Sequence, residues 1–508
     1  MEYQFQLVTQ LKEALGDGVI EHHEKTNNPN ELLMVIKPAD IRRVAEFLRD
    51  SKNFKFLMDI AGVHYPSSEK PLEAVYQFYN REQNKRVRIK IPHLEGEKIP
   101  SLCPVYKAAN WFEREAYDLM GLQFEDHPNL TRILCHHKFE GHALRKDYPA
   151  TKNQVLDVPE VFSFPPLPVN PDDDPLTTQR NVINLGPSHP ATHGTFRWYC
   201  EIEGETITRA KTEIGYLHRC FEKMAETHKY QQIIPYTDRL NYCSAPMNNS
   251  GYCRAVEQLL GIEVPARAQY IRVIMNELAR VIDHFVCIGT TAVDMGALST
   301  FWYCFTQREN VYTLFEKLCG HRMLTSITRI GGVFGDLDDA WKSECRALIK
   351  KIRETVDEVD GLLSNNKIWI NRMRDTGVVS TQMAIEYAYT GPALRASGVQ
   401  HDLRKVEPYW FYDTFDFEVP VLKECDNYAR YKIRILEQRE SLRIVEQALD
   451  RIPNGPTMVN DPLICLPPKS EVYSNIEALM NHFMLIIEGV KPPKGEVYSY
   501  TEAANGEL

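Results

Sequence analysis

No Cys-x-x-Cys pair occurs anywhere in this 508-residue chain, whose twelve cysteines stand singly at 103, 135, 200, 220, 243, 253, 287, 304, 319, 345, 425 and 465. Paired cysteines are what a zinc ribbon or a self-contained iron–sulfur site requires, so neither is expected. The scatter fits buried, reduced thiols better than a disulfide framework. Any redox metal used in this protein's chemistry then belongs to another protein. Long apolar runs are missing as well: stretches such as Phe483 to Ile487 fall far short of the roughly 18 residues that span a bilayer. Met1 to Gly16 mixes Gln, Thr, Lys and Glu among its apolar residues, unlike a signal peptide. There is no excess of positive charge, with 59 Lys and Arg against 69 Asp and Glu, a net charge of -10 and a pI near 5.9. That leaves no basic face to neutralise phosphates and argues against a nucleic-acid partner. Neither a Gly-x-Gly-x-x-Gly turn after a strand nor a Gly-x-x-x-x-Gly-Lys loop is present, so nucleotide binding within the chain is not expected. The expectation is a soluble chain from a reducing compartment that can still dock on a membrane protein.

What is present divides into three stretches. Residues 1–149 read as a small α+β unit. Leu7, Val8, Leu11 and Leu15 at helical spacing run into Gly16 and Gly18; a second helix follows Asp40, with Asp40 as its cap and Ile41, Val44, Phe47 and Leu48 on one face. Strand-like segments follow at Phe54 to Ala61, Ala74 to Tyr79 and Val87 to Ile91. Residues 150–180 hold Pro159, Pro165, Pro166, Pro168 and Pro171 with Asp172 to Asp174, an extended connector rather than a core. From residue 181 a short strand-like run gives way to a mainly helical domain reaching residue 508. Its centre is Ala266 to Val293, whose apolar stripe is wide enough to be buried on more than one side. Further helical patterns cover Val311 to Leu324, Asp338 to Leu363 and Asp426 to Leu449.

Within nine residues, Gly186-Pro187-Ser188-His189-Pro190-Ala191-Thr192-His193-Gly194 places two imidazoles on a stiff, sharply turned loop. Such a loop is either a plain surface turn or a device that presents a titratable group to a ligand. His189 and His193 are spaced i, i+4, but Pro190 lies between them and no Glu follows the first, so zinc is not expected. Three other segments combine polar and aromatic residues: Leu217-His218-Arg219 opening a helix-like stretch, Pro235 to Tyr242 joining two helices, and Asp294-Met295-Gly296-Ala297 ending the long apolar helix. Taken alone, each is a weak signal: an arginine on a helix is usually solvated or salt-bridged, and a tyrosine in a connector is more often packing than catalysis.

Taken in order, these segments resemble the D subunit of respiratory complex I, the NADH:quinone oxidoreductase. Gly391-Pro392-Ala393-Leu394-Arg395-Ala396-Ser397-Gly398 and Asp426 to Tyr431 extend the likeness. The first domain resembles the C subunit through Glu113-Arg114-Glu115-Ala116-Tyr117-Asp118, His127-Pro128-Asn129-Leu130 and Leu144-Arg145-Lys146-Asp147-Tyr148-Pro149. The chain is thus identified as a member of the fused C/D class found in some bacteria. The resemblance implies an α+β C-type domain followed by a helical domain related to the large subunit of nickel–iron hydrogenases. Hydrogenase metals sit on two Cys-x-x-Cys motifs, which this chain lacks, so hydrogen oxidation is excluded.

The resemblance also implies a role on the cytoplasmic face of the bacterial inner membrane, held there through the complex. With the neighbouring B subunit, the D part forms the pocket where quinone receives electrons from the terminal [4Fe-4S] cluster, whose ligands belong to the B subunit. No cofactor is held by this chain alone, and quinone is the substrate. His193 and Tyr242 match the proton donors to quinone, and Asp294 the carboxylate that orients the histidine. His189 and Gly194 belong to the quinone-binding loop. Arg219 and Arg239 match arginines near the partner's cluster. Other peripheral-arm and membrane-arm subunits are implied partners. Three departures stand out. Cys220 replaces the usual Gly after His-Arg, Leu324 replaces a histidine that follows Arg-Met in many members, and the family continues several tens of residues past Leu508. That last difference leads to the expectation of uncovered apolar surface in the second domain. A scaffold protein without intact quinone chemistry is the alternative reading.

Overall fold

The computed structural model describes residues 2–26, 28–155 and 180–508. The connector expected over 150–180 therefore lies mostly outside the described residues. The chain forms two compact units, Met1–Glu222 and Lys223–Leu508. Residues 181–222, which the resemblance groups with the helical domain, are compact with the first unit.

In the first unit a five-stranded mixed sheet runs in the order Ile20–Lys25, Glu31–Ile36, Lys85–His93, Leu72–Asn80, Phe56–His64. Only the pairing of Glu31–Ile36 with Lys85–His93 is parallel. The helices Glu2–Leu15 and Ile41–Lys52 bury Leu7, Leu11, Val44 and Leu48 in the same core as Tyr76, Phe78 and Ile89 of the sheet. That is why the apolar residues of both helices recur at helical spacing. Leu72–Asn80 is buried on both faces, so it lacks the alternation of a half-exposed strand. Asp40 occupies the cap position of its helix but makes no side-chain capping bond. The preceding turn Pro38–Asp40 already gives it helical backbone angles, and its carboxylate instead faces Arg43. The unit also holds the helix Ala109–Met120, a parallel pair of short strands, Lys98–Pro100 and Gln123–Glu125, and a separate three-stranded antiparallel sheet of Arg180–Leu185, Arg197–Glu203 and Thr206–Glu213.

The second unit is built around the helix Ala266–Asp294, flanked by Leu298–Cys319 and Asn427–Arg451, against both of which Asp339–Ser364 packs. The central helix is buried nearly all round, and its polar residues are buried with its apolar ones: Arg272, Glu277, Arg280, Asp283 and His284 all lie inside. They are paired. Arg272 grips Glu257 through two bonds of 2.8 and 2.6 Å, and Glu277 accepts from Arg404, Tyr412 and Ser441. The helix expected over Val311 to Leu324 begins earlier and ends at Cys319, because Gly320 turns left-handed at φ 77°. Leu324 therefore lies beyond it. Near the end of the chain, the helix Ile476–Ile487 leaves Ile476, Met480, Phe483, Ile486 and Ile487 more than half exposed. Among the described residues no helix is long and apolar enough to cross a membrane.

Candidate functional site

The loop 186–196 is the connection between two antiparallel strands, closed by the pair Leu185 and Trp198. Gly186 has φ 93°, and a Cβ there would lie 1.9 Å from the carbonyl oxygen of Phe196. Only glycine permits that approach. Pro190–Thr192 forms one 3-10 turn, which His189 caps: its Nδ1 accepts the Ala191 N–H at 3.1 Å. The Thr192 hydroxyl reaches both the His189 and Gly194 carbonyls, at 2.7 and 2.8 Å. His193 follows in the left-handed region at φ 50°, exposed on the surface of the first unit. A non-glycine residue there is conformationally costly. The loop thus spends His189 on its own shape and turns His193 outward.

Leu217, His218, Arg219 and Cys220, singled out in the sequence, lie in the turn 215–220 of the first unit. Gly215, at φ 102°, packs so tightly on the Leu134 carbonyl that a Cβ would come within 2.1 Å of it. Leu217-His218-Arg219 forms this turn rather than the opening of a helix, which starts only at Phe221. Arg219 is exposed. Cys220, where the resembling family usually has Gly, takes φ 52°, a conformation that glycine adopts freely. Its sulfur and the Glu222 carboxylate, 3.5 Å from His218 Nε2, raise the His218 imidazole to about 10.

In the second unit, Pro235 and Thr237 are part of the helix Tyr230–Thr237 instead of lying in a connector. The real turn is Asp238–Asn241. Asp238 is buried and accepts from the Ser326 backbone and hydroxyl, which pins the turn from behind. Arg239 is exposed and donates to the Pro235 carbonyl. Tyr242 opens the 3-10 turn Tyr242–Ser244 and is 43% exposed, although the residues on either side of it are tied down. Asp294 is the last residue of the 29-residue central helix and is also exposed. Gly296 follows at φ 86° and ends the helix.

The structure thus presents one imidazole in the first unit, and one phenol and one carboxylate in the second, each on a braced turn or helix end. Sequence reasoning missed the braces. Asn241, Asp283, Asn248 and Asp238 hold the Tyr242 turn from inside. Little in the sequence signals them: Asn241 stands ahead of a short turn, and Asp283 is one of several charged residues in the central helix.

One cluster of metal-ligating residue types occurs among the described residues, Cys103, Glu113 and His127. Its hydrogen bonds assign it to structure. His127 Nδ1 accepts the Asn129 N–H at 3.0 Å, so Nε2 carries the proton and points at the Asn110 carbonyl, 3.1 Å away. Glu113 accepts from Leu102 N and Ser101 Oγ at 2.6 and 2.7 Å. All twelve cysteines are free.

Comparison with known proteins covers both units. The family "Respiratory-chain NADH dehydrogenase, 30 Kd subunit" matches residues 34–154, and "Respiratory-chain NADH dehydrogenase, 49 Kd subunit" matches residues 294–508. The NADH-quinone oxidoreductase C/D subunit of Bdellovibrio bacteriovorus is 52% identical over 499 residues, covering 98% of this chain and 89% of that protein. A C/D subunit of the same enzyme from Aquifex aeolicus is 36% identical over 494 residues, 92% of this chain and 84% of that protein. The D subunit from Myxococcus xanthus is 51% identical over 336 residues, 66% of this chain and 81% of that protein.

Proposed function

The chain belongs to the fused C/D family of NADH-quinone oxidoreductase subunits, and on that premise we propose that it supplies the proton donors that face the quinone headgroup, one from each of its two units. As a peripheral-arm subunit of complex I it works with the other subunits of that complex. The finer assignments are proposals. The B subunit is the neighbour that completes the pocket and holds the terminal [4Fe-4S] cluster, and the chain lies on the cytoplasmic face of the bacterial inner membrane against the membrane arm. This chain holds no cofactor of its own.

Quinone reduction takes two electrons and two protons, and negative charge develops on both carbonyl oxygens. The cluster would supply the electrons. A phenol and an imidazole can each donate a hydrogen bond to one oxygen and then a proton. Tyr242 is the first donor and His193 the second. The tie between Asp294 and His193 rests on the resemblance, in which a carboxylate orients the ring and favours its charged form. His189 and Gly194 shape the loop that carries His193. Arg219 and Arg239 place fixed positive charge toward the partner's cluster, where it favours the reduced form.

The observation that carries this reading is Tyr242, a phenol turned outward on a turn whose neighbours are fixed by buried bonds. Its test is Tyr242→Phe in the assembled complex. Electron flow from NADH to quinone falls about 100-fold, while flow to a water-soluble acceptor reduced upstream is unchanged. Undiminished quinone reduction would leave the chain a scaffold.

A further inference from the structure

We infer that Asp283 is a positioning residue for Tyr242, acting through Asn241; this rests on the reading of Tyr242 as the quinone's proton donor. Every polar group of Asn241 except its backbone N–H has a partner. Its Oδ1 caps the turn by accepting the Cys243 N–H at 3.3 Å. Its amide nitrogen donates to Ser244 Oγ and to Asp283 Oδ2, each at 2.9 Å. Its backbone carbonyl accepts from Asn248 Nδ2 at 2.9 Å. The residue that immediately precedes Tyr242 is therefore clamped to the central helix.

The anchor itself is buried, with Asp283 4% exposed. Its second oxygen, Oδ1, accepts from Asn505 Nδ2 at 3.1 Å, and Asn505 Oδ1 accepts from Arg434 Nη1 at 3.0 Å. Two amide donors thus converge on the two oxygens of one carboxylate. A carboxylate is the one side chain of that size with two acceptors and no donor. An amide at the same place can accept from one neighbour but must turn its own NH2 against the other. Burial removes the water that would absorb the mismatch. The nearer of the two neighbours then moves, and it carries Tyr242 with it. Displacement of a reacting group by a fraction of an ångström to an ångström is costly to a rate that depends on near-attack geometry.

The geometry also supplies a rescue. Exchanging the two residues, Asn241→Asp with Asp283→Asn, restores a full set of bonds. The new amide at 283 donates to the new carboxylate at 241 and still accepts from Asn505. The carboxylate at 241 still accepts the Cys243 N–H, and the Ser244 hydroxyl rotates to donate to it. Each single exchange fails differently: Asp283→Asn sets amide against amide, and Asn241→Asp sets carboxylate against carboxylate.

The experiment measures steady-state quinone reduction by assembled complex in membranes, normalised to the amount of complex, for both single variants, the double variant and Tyr242→Phe. Each single variant lowers kcat/KM for quinone at least about tenfold, and the double variant returns to within about threefold of the unaltered complex. Reduction of a water-soluble acceptor upstream is unchanged throughout. An Asp283→Asn complex of normal activity overturns the inference, and so does a loss of activity or assembly that the double variant fails to recover. If Tyr242→Phe is fully active, the proton-donor reading falls whatever the Asp283 variants do. If Tyr242→Phe is inactive and Asp283→Asn is normal, only the positioning inference falls.

Discussion

A carboxylate at the last residue of a long helix faces the negative end of the helix dipole, and Asp294 holds that place on a 29-residue helix. Asp294→Asn removes that charge, and quinone reduction by the assembled complex falls about tenfold, while reduction of a water-soluble acceptor upstream is unchanged. A second prediction concerns Glu113, which burial pushes up to about 7 from an ordinary 4.5 although it accepts bonds from Leu102 and Ser101. Below about 4.5 both folded and unfolded chains hold the proton. Between there and about 7 only the folded chain does, so its stability falls as pH rises, levelling off above that range. Glu113→Gln flattens this dependence, by about 3 kcal/mol across the window, in unfolding measured at pH 4.5 and 8. At this scale the sequence shows the outward groups His193, Tyr242 and Asp294 through motif likeness. It hides Asp283 and Asn241, because their meaning lies in a bond across 42 residues that no local pattern encodes.

Elements were easier to read than their joints. The long helices announce themselves by apolar periodicity, and the central one ends where Gly296 forces it to. The edge strand Ile20–Lys25, with the sequence Ile-Glu-His-His-Glu-Lys, carries no apolar alternation and was invisible for that reason. Pro235 misleads in the opposite direction: it reads as a connector, yet the helix Tyr230–Thr237 accommodates it. The loop 186–194 was legible as a stiff turn from its prolines and glycines, but the need for Gly186 comes from the Phe196 carbonyl across the hairpin. Gly186→Ala therefore has no low-cost solution, since both the φ of 93° and the 1.9 Å approach oppose it. It destabilises the three-stranded sheet by about 2 kcal/mol or more, seen as faster proteolysis within residues 180–213. Equal proteolysis of variant and parent contradicts that account of the loop.

Across the whole molecule, buried charge ties the last residues of the chain into the helical core. Arg395 bonds Glu437 at 2.6 Å and Glu502 at 2.8 Å, and Arg280 donates to the carbonyls of Glu502 and Ala503. Burial raises Glu502, with Asp402 adding to the effect, whereas Glu437, despite burial, is held well below the carboxylate range by Arg395 and His284. Glu502→Ala leaves Arg395 with Glu437 but removes the acceptor of one of its N–H groups and of the Leu403 N–H, and costs about 1 to 3 kcal/mol, read as a lower melting temperature of the helical unit. The helix Ile476–Ile487 is the reverse case, apolar and outward, as suits a protein that works inside a larger complex. Membership of that complex was legible over nearly the full length of the chain, and the account built on it makes this chain one wall of the quinone pocket. Photo-crosslinking the intact complex with a light-activated quinone analogue, followed by mapping of the labelled peptides, tests that claim most directly. The account predicts label on the peptide that carries Tyr242, suppressed by excess unlabelled quinone. Competable label confined to other subunits, with none on this chain, would contradict it.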